Sequence, residues 1–267
     1  MMRKGSFALF DALGTRGIWR RHKPEEVVAK FEELRASFEA FREGQLGGPG
    51  APALRSEGSV LEDVVVAFLS DTVVVAVIPT EKALAESPLA MAQHAVIVAA
   101  RFAGVAIEMA ANLPPGWAYR GAISFGELMM RTDGSFFIGQ AVDEAAELFE
   151  VADGAFIMLT PAAAELFKDG YPPVVGNIPP VTPWEVPLRD GRSVDALVVS
   201  PFDVTTSPER AEELRGHILS TFTTSTLDVT IKRQNTERWL NDHLAEWNRR
   251  YREEHAQVEK LTRGQGR

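Results

Sequence analysis

The stretch Val64-Val65-Val66-Ala67-Phe68-Leu69-Ser70-Asp71-Thr72-Val73-Val74-Val75-Ala76-Val77 sets two β-branched runs on either side of one short polar break. Runs of this composition read as strands, and two separated by so little read as a tight hairpin. Ser-Asp is a poor pair for the turn, because two-residue hairpin turns need positive φ and so favour Gly or Asn-Gly. Asp71 therefore has two readings: a polar residue punctuating buried strands, or a carboxylate kept for its chemistry. A second carboxylate, Asp11, ends another apolar strand, 6–11, and is followed by Gly14. The pair favours the second reading.

Outward from the hairpin, the chain alternates strands with long helices. Pro24 with Glu25 and Glu26 makes a good helix start, and Val27, Val28, Phe31, Leu34, Phe38 and Phe41 recur at helical spacing through about Arg42. The segment 44–58, holding Gly47-Gly48-Pro49-Gly50 and Pro52, predicts a flexible loop. After the hairpin, an Ala-rich helix is expected from about Leu89 to Asn112, stopped by Pro114-Pro115-Gly116. Trp117 to Met130 reads as a strand, Thr132-Asp133-Gly134 as a turn and Ser135 to Ile138 as its return. Gly139 opens a helix through Val151, Phe156 to Leu159 is a strand, and Pro161 to Phe167 a short helix. A loop with Pro172, Pro173, Pro179, Pro180 and Pro183 leads to a hairpin, Trp184 to Pro187 and Ser193 to Val199, through Arg189-Asp190-Gly191-Arg192. From Pro208 to about Lys260 the pattern is helical, with Trp239, Leu240, Leu244 and Trp247 near one face. Strands, hairpins and long helices in this order predict an α+β fold, a largely antiparallel sheet covered by helices.

Composition narrows the functions. With 267 residues, 45% of them hydrophobic, the chain can bury a substantial core. A net charge of -9 argues against a general binder of nucleic acid or anionic membranes, so any polyanion must be gripped by a few local cations or by metal. The absence of cysteine excludes disulfides, thiolate catalysis and cysteine-ligated zinc, and fits a reducing, cytoplasmic setting. Residues 1–6 lead straight into a strand without the apolar region of a signal peptide. The run Leu89 to Leu113 is interrupted by His94, Arg101 and Glu108, which marks a core helix and not a membrane span. The five histidines sit outside any nucleophile motif, which disfavours a Ser-His-Asp hydrolase.

Several segments resemble one family in the right order. Phe10-Asp11-Ala12-Leu13-Gly14-Thr15-Arg16 is similar to the first-strand motif of class III nucleotide cyclases, and Ser70-Asp71 to the family's second metal aspartate in a tight hairpin. Tyr119-Arg120-Gly121-Ala122-Ile123-Ser124-Phe125-Gly126-Glu127 resembles the Arg-x-Gly-Ile-x-x-Gly strand, Gly139 to Leu148 the helix after it, and Phe156-Ile157-Met158-Leu159-Thr160 the next strand. The resemblance spans roughly Ser6 to Thr160. It implies a ferredoxin-like core in a cyclase-like catalytic domain over 1–205, followed by a C-terminal helical extension over 206–267.

The implied chemistry is attack of a ribose 3′-hydroxyl on the α-phosphate of a nucleoside triphosphate, with pyrophosphate leaving. Two divalent cations, Mg2+ or Mn2+, are implied, held by Asp11, Asp71 and the carbonyl of Ala12. Backbone amides of Leu13, Gly14 and Thr15, at a strand-to-helix turn, are placed to cradle phosphates. Arg120 falls where a triphosphate-binding arginine belongs, and a guanidinium suits bidentate phosphate contacts. Family members build the site between two chains packed head to tail, so a homodimer is implied, with the apolar stripe of the last helix either extending its interface or serving as core within the chain.

Departures from the pattern bear on activity and specificity. The helix after the glycine strand carries Asp143 and Glu147 where ordinary adenylate and guanylate cyclases have an asparagine and a transition-state arginine. Asp143 keeps a candidate catalytic position, and the missing cation has candidate substitutes in Lys232 first, then Arg233, Arg189 and Arg192. The positions that read a purine hold Ala67 and Phe136, which supply packing and stacking but no hydrogen bonds to a base edge. This favours a substrate outside the purine code. The helix pattern, followed by Glu150, is also similar to the bacterial pyrimidine cyclases of Pycsar anti-phage defence, which make cyclic UMP or cyclic CMP for a separate effector. UTP is favoured over CTP. A purine cyclase with a non-standard base pocket, an inactive cyclase-like domain and a purely structural protein are the alternatives.

Overall fold

The computed structural model describes residues 2–13, 15, 18, 21–46, 60–112, 116–131, 133–171, 180–202, 206–223 and 226–264, with side chains described for 21–43 and 226–253 within the first and last helices. Gly14, 47–58 of the expected loop, Pro114, Pro115, Thr132, Pro172, Pro173 and Pro179 lie outside the described residues.

Strand β1 (Arg3–Leu13) leads into α1 (Pro24–Leu46), the hairpin β2 (Leu61–Leu69) and β3 (Thr72–Pro79), helices α2 (Glu81–Glu86) and α3 (Pro88–Asn112), and strand β4 (Ala118–Met130). Then follow β5 (Phe137–Ile138), α4 (Gln140–Leu148), β6 (Ile157–Leu159), α5 (Pro161–Glu165), the hairpin β7 (Val181–Pro187) and β8 (Ser193–Val199), and helices α6 (Pro208–Ser220) and α7 (Leu227–Gly264). The eight strands form one mixed sheet in the order β2-β3-β1-β4-β6-β8-β7, with β5 attached to β4. β1 lies between β3 and β4 and is antiparallel to both, while β4 and β6 are parallel. The order β2-β3-β1-β4, with helices between β1 and β2 and between β3 and β4, is the ferredoxin-like arrangement. The α+β fold expected from the sequence is the one found.

Alternation along β1 divides its side chains between two layers. Ala8, Phe10 and Ala12 face the larger core beneath α1 and α3, whereas Phe7 faces a smaller one formed with Val74, Ala76, Ala122 and Ala141 and Ala145 of α4. α3 satisfies the length and composition of a membrane span, yet most of its apolar stretch is buried within the fold. Its polar interruptions recur every seven residues on one side: Arg101 is exposed, and Glu108 pairs with Arg210 of α6 at 3.2 Å. Two glycines let the layers close. A Cβ at Gly121 would lie 2.7 Å from Phe10 Cβ and against the Leu9 carbonyl, so β4 approaches β1 only without a side chain there. Gly139 starts α4 with φ 134°, a backbone that glycine tolerates.

Several boundaries differ from the expected ones. α1 runs past Gly44 to Leu46, and α4 stops at Leu148 and not Val151. The six-residue α2 was not expected; Thr80 caps it, its hydroxyl accepting from the Ala83 amide at 3.2 Å. β7 begins at Val181 and includes Pro183, tolerated because β7 is an edge strand. The continuous C-terminal helix is instead two, α6 and α7. At the end of α6 a side-chain hydroxyl competes for the backbone: Thr221 Oγ1 donates to the Ile218 carbonyl at 2.7 Å. The stripe Trp239, Leu240, Leu244 and Trp247 is core within the chain: all four are buried, with Trp239 edge-on to Phe156 and Trp247 against Phe202.

Lys30 is buried, 2.6 Å from the Ala110 carbonyl and 3.9 Å above the Trp117 ring. Both contacts favour the ammonium, while burial, against the charge of Glu33, lowers its pKa to about 7. The unfolded chain then binds the proton more tightly, so stability falls as pH drops from about 10 towards 7, by up to about 1.4 kcal/mol per unit. Urea denaturation of the protein and of Lys30→Met at pH 7 and pH 9 should show the native chain gaining on the variant at the higher pH. Parallel pH dependence in the two proteins would contradict this account of Lys30.

Candidate active site

One end of the central strands collects the polar residues. Asp11 stands opposite Thr72 on β3 and opposite Arg120 on β4. Asp71 occupies the β2–β3 turn at the same end, and the Ala12 amide donates to its carbonyl at 3.2 Å, which pins the turn to β1. The turn takes its positive φ at Ser70 (63°), the one such non-glycine among the described residues. Thr15 lies beside both aspartate-bearing segments: its hydroxyl donates to Asp71 Oδ2 and lies 3.2 Å from the Ala12 carbonyl. Its single proton serves only one acceptor at a time.

Around Asp11, Thr72 Oγ1 donates to Oδ1 at 3.3 Å and Arg120 Nη2 to Oδ2 at 3.4 Å. The Arg120 side chain is only 6% exposed, and its Nη2 also reaches Glu150 Oε1 at 2.8 Å. Glu150 Oε2 in turn meets Arg189 Nη1 at 3.4 Å. A charged chain thus runs Asp11–Arg120–Glu150–Arg189. Burial pushes the Asp11 carboxyl above the usual range and the charge of Asp71 pushes further, while Arg120 and Thr72 pull the other way. The Tyr119 hydroxyl, opposite Ala12 in the register, is raised chiefly by burial and further by both aspartates.

The donors at this corner suit a hard divalent cation. Two carboxylates and the Ala12 carbonyl are all oxygen, and a positive charge between Asp11 and Asp71 would relieve the repulsion that raises Asp11. Among the described residues no group of three or more His, Asp or Glu side chains gathers, so remaining ligands would be water or substrate oxygens.

Other expected site residues are distributed unevenly. Leu13 is described at the end of β1, opposite Ala118. Ala67 shares the layer of Val74, its register partner, and lies under Gly134: a Cβ on Gly134 (φ 70°) would sit 3.0 Å from the Ala67 Cβ. Its small size is therefore matched to the β4–β5 turn. Phe136, two residues on, is 41% exposed. Asp143 and Glu147 are exposed on α4, whose Ala141 and Ala145 face the sheet, so neither joins its own chain's aspartates. Lys232, expected as a catalytic cation, instead forms an ion pair with Asp228 on its own helix and lies beside Asp153. An i,i+4 partner satisfies it locally. Arg192 pairs with Asp190 at 2.5 Å, leaving Arg189 as the hairpin residue that joins the cluster. The pairing of Glu150 with Arg120 was not foreseen, because 30 residues separate them and no local pattern connects them.

No protein-family model matches the chain, and no curated protein sequence does. Solved structures similar to it include the catalytic core of a rhodopsin-guanylyl cyclase with converted specificity in complex with ATPalphaS, at 14% identity over 74% of this chain and 96% of that one, TM-score 0.48. The non-canonical dimeric guanylyl cyclase domain of RhoGC from Blastocladiella emersonii matches at 14% identity over 74% and 97%, TM-score 0.47. The adenylyl cyclase CyaB from P. aeruginosa matches at 13% identity over 74% and 95%, TM-score 0.47. At such identities the functional reading has to rest on the residues of the site.

The electrostatics predict opposite responses to two substitutions. Asp71→Asn should lower the pKa at which Asp11 titrates, by removing a neighbouring negative charge, and Arg120→Leu should raise it. Carboxyl-carbon NMR titration in metal-free buffer reads both, and an Asp11 pKa unmoved by Asp71→Asn would show that the two carboxylates do not interact.

Proposed function

We propose that this chain is a class III-type nucleotide cyclase that converts a pyrimidine nucleoside triphosphate, UTP in preference to CTP, to its 3′,5′-cyclic monophosphate and pyrophosphate. The observation that carries the reading is the meeting of Asp11, Asp71 and Arg120 at one end of a ferredoxin-like sheet. Three segments distant in sequence bring two carboxylates and a buried guanidinium together, the set of groups that a metal-bound triphosphate site requires.

In the reaction, the ribose 3′-oxygen bonds to the α-phosphorus, the bond from that phosphorus to the β-bridging oxygen breaks, pyrophosphate leaves and the hydroxyl proton is released. Asp11, Asp71 and the Ala12 carbonyl would hold two Mg2+ or Mn2+ ions, which lower the pKa of the hydroxyl and balance charge on the leaving group. Thr15 orients Asp71 and Thr72 orients Asp11 through their hydroxyls. Arg120 places positive charge beside the phosphates, and Leu13 and Thr15 offer backbone amides.

The site is completed by a second copy packed head to tail. Asp143 and Glu147, exposed and turned from their own sheet, meet a nucleotide only in another chain's site, and exposed Leu69, Phe136 and Ile138 suit a covered surface. Neither Ala67 nor Phe136 has a side-chain hydrogen bond to offer a purine edge, which supports a pyrimidine substrate. In this reading the product is a second messenger acting on a separate effector in anti-phage defence. One observation favours a second reading, an inactive nucleotide-binding domain: carboxylates at 143 and 147 stand where the resemblance asks for an asparagine and an arginine.

Incubation with Mn2+ or Mg2+ and each of ATP, GTP, CTP and UTP, followed by mass spectrometry of products and a pyrophosphate assay, tests the proposal. Cyclic UMP or cyclic CMP is expected, reduced at least a hundredfold in Asp71→Ala. A purine cyclic nucleotide would overturn the base assignment, and nucleotide binding without pyrophosphate release would establish the inactive domain.

A further inference from the structure

We propose that the gap between Arg120 and Arg189 is an oxyanion subsite held by the Glu150 carboxylate, and that a phosphate chain enters it by displacing Glu150. This rests on the nucleotide reading for the identity of the physiological anion, but the subsite itself rests on the geometry of three side chains.

Arg120 is under-used as it stands. Only Nη2 makes contacts, to Asp11 Oδ2 at 3.4 Å and Glu150 Oε1 at 2.8 Å. Its Nε and Nη1 are buried without a hydrogen-bond partner, although the side chain is 6% exposed. A buried donor left unmade is costly, and a guanidinium is best served by a bidentate anion. Glu150 cannot provide one, because its two oxygens are divided, one to each arginine. A phosphoryl group carries enough non-bridging oxygens to take two nitrogens of Arg120 and still reach Arg189.

The second wall is fixed and the occupant is free to leave. The Arg189 amide donates to the Val151 carbonyl at 3.1 Å, and Leu188 bridges to Ala152, so the β7–β8 hairpin holds Arg189 beside the turn that carries Glu150. The Glu150 side chain is 50% exposed and follows the end of α4, from where it can rotate into water. Two guanidiniums facing a common gap repel when nothing lies between them. In this structure Glu150 sits there, which makes it a built-in competitor that sets the concentration at which a polyphosphate binds.

Isothermal titration with inorganic tripolyphosphate in metal-free buffer reads this without requiring turnover, with thermal unfolding run beside it. Glu150→Gln, which keeps the shape and removes the charge, should bind at least tenfold tighter than the native chain. Adding Arg189→Ala to Glu150→Gln should abolish most of the gain, whereas Arg192→Ala should not. Should Glu150→Gln fail to fold, Glu150→Asp, too short to reach both arginines, is expected to tighten binding severalfold. Unchanged affinity in a folded Glu150 variant, or a gain indifferent to Arg189→Ala, would overturn the subsite. Tightening without any cyclic product from the native chain would retain the subsite and remove the cyclase reading; a cyclic product without tightening would do the reverse.

Discussion

Two carboxylates held close together at the end of a sheet repel, and the surrounding structure has to bear that cost. Asp11 is fixed by β1, which is hydrogen-bonded on both sides, and Asp71 by a turn whose carbonyl accepts from the next amide of β1. Neither can drift away without breaking ladder hydrogen bonds. Burial and the second negative charge leave Asp11 with a raised pKa even with Arg120 and Thr72 beside it. A fold that maintains such a corner has a site whose natural complement is positive charge.

The rest of the architecture serves that corner. Gly121 lets β4 close onto β1 and so brings Arg120 across from Asp11. α4 covers the same layer through Ala141 and Ala145 and ends just before Glu150. The segment after α4 is gripped from two further directions: Asp153 donates its amide to Pro187 at 2.9 Å, and Thr236 of α7 accepts from the Ala155 amide at 2.9 Å. The β7–β8 hairpin and α7 thus support, through this turn, the residue that lies between Arg120 and Arg189.

Local sequence carried the strands and most helices because their causes are local. β-Branched runs gave the hairpin at Asp71, Pro24 and the glutamates after it the start of α1, and Gly139 the start of α4. The two aspartates were legible as a pair because each ended an apolar run. α2 was not, since six residues show no helical period, and the break after Ser220 was hidden by a polar pattern that continues beyond it. The ion pair of Lys232 with Asp228, four residues earlier on the same helix, has a local cause as well. The roles of Glu150 and Arg189 depend on contacts across 30 and 39 residues, which only the sheet order brings together.

The most direct measurement of the central claim is electron paramagnetic resonance of Mn2+ titrated into the protein with 3′-deoxy-UTP, which binds but cannot cyclise. Two spin-coupled Mn2+ ions per site, lost in Asp11→Asn and in Asp71→Asn, are predicted. A single Mn2+ carried by the nucleotide and indifferent to both substitutions would contradict the assignment of Asp11 and Asp71 as metal ligands.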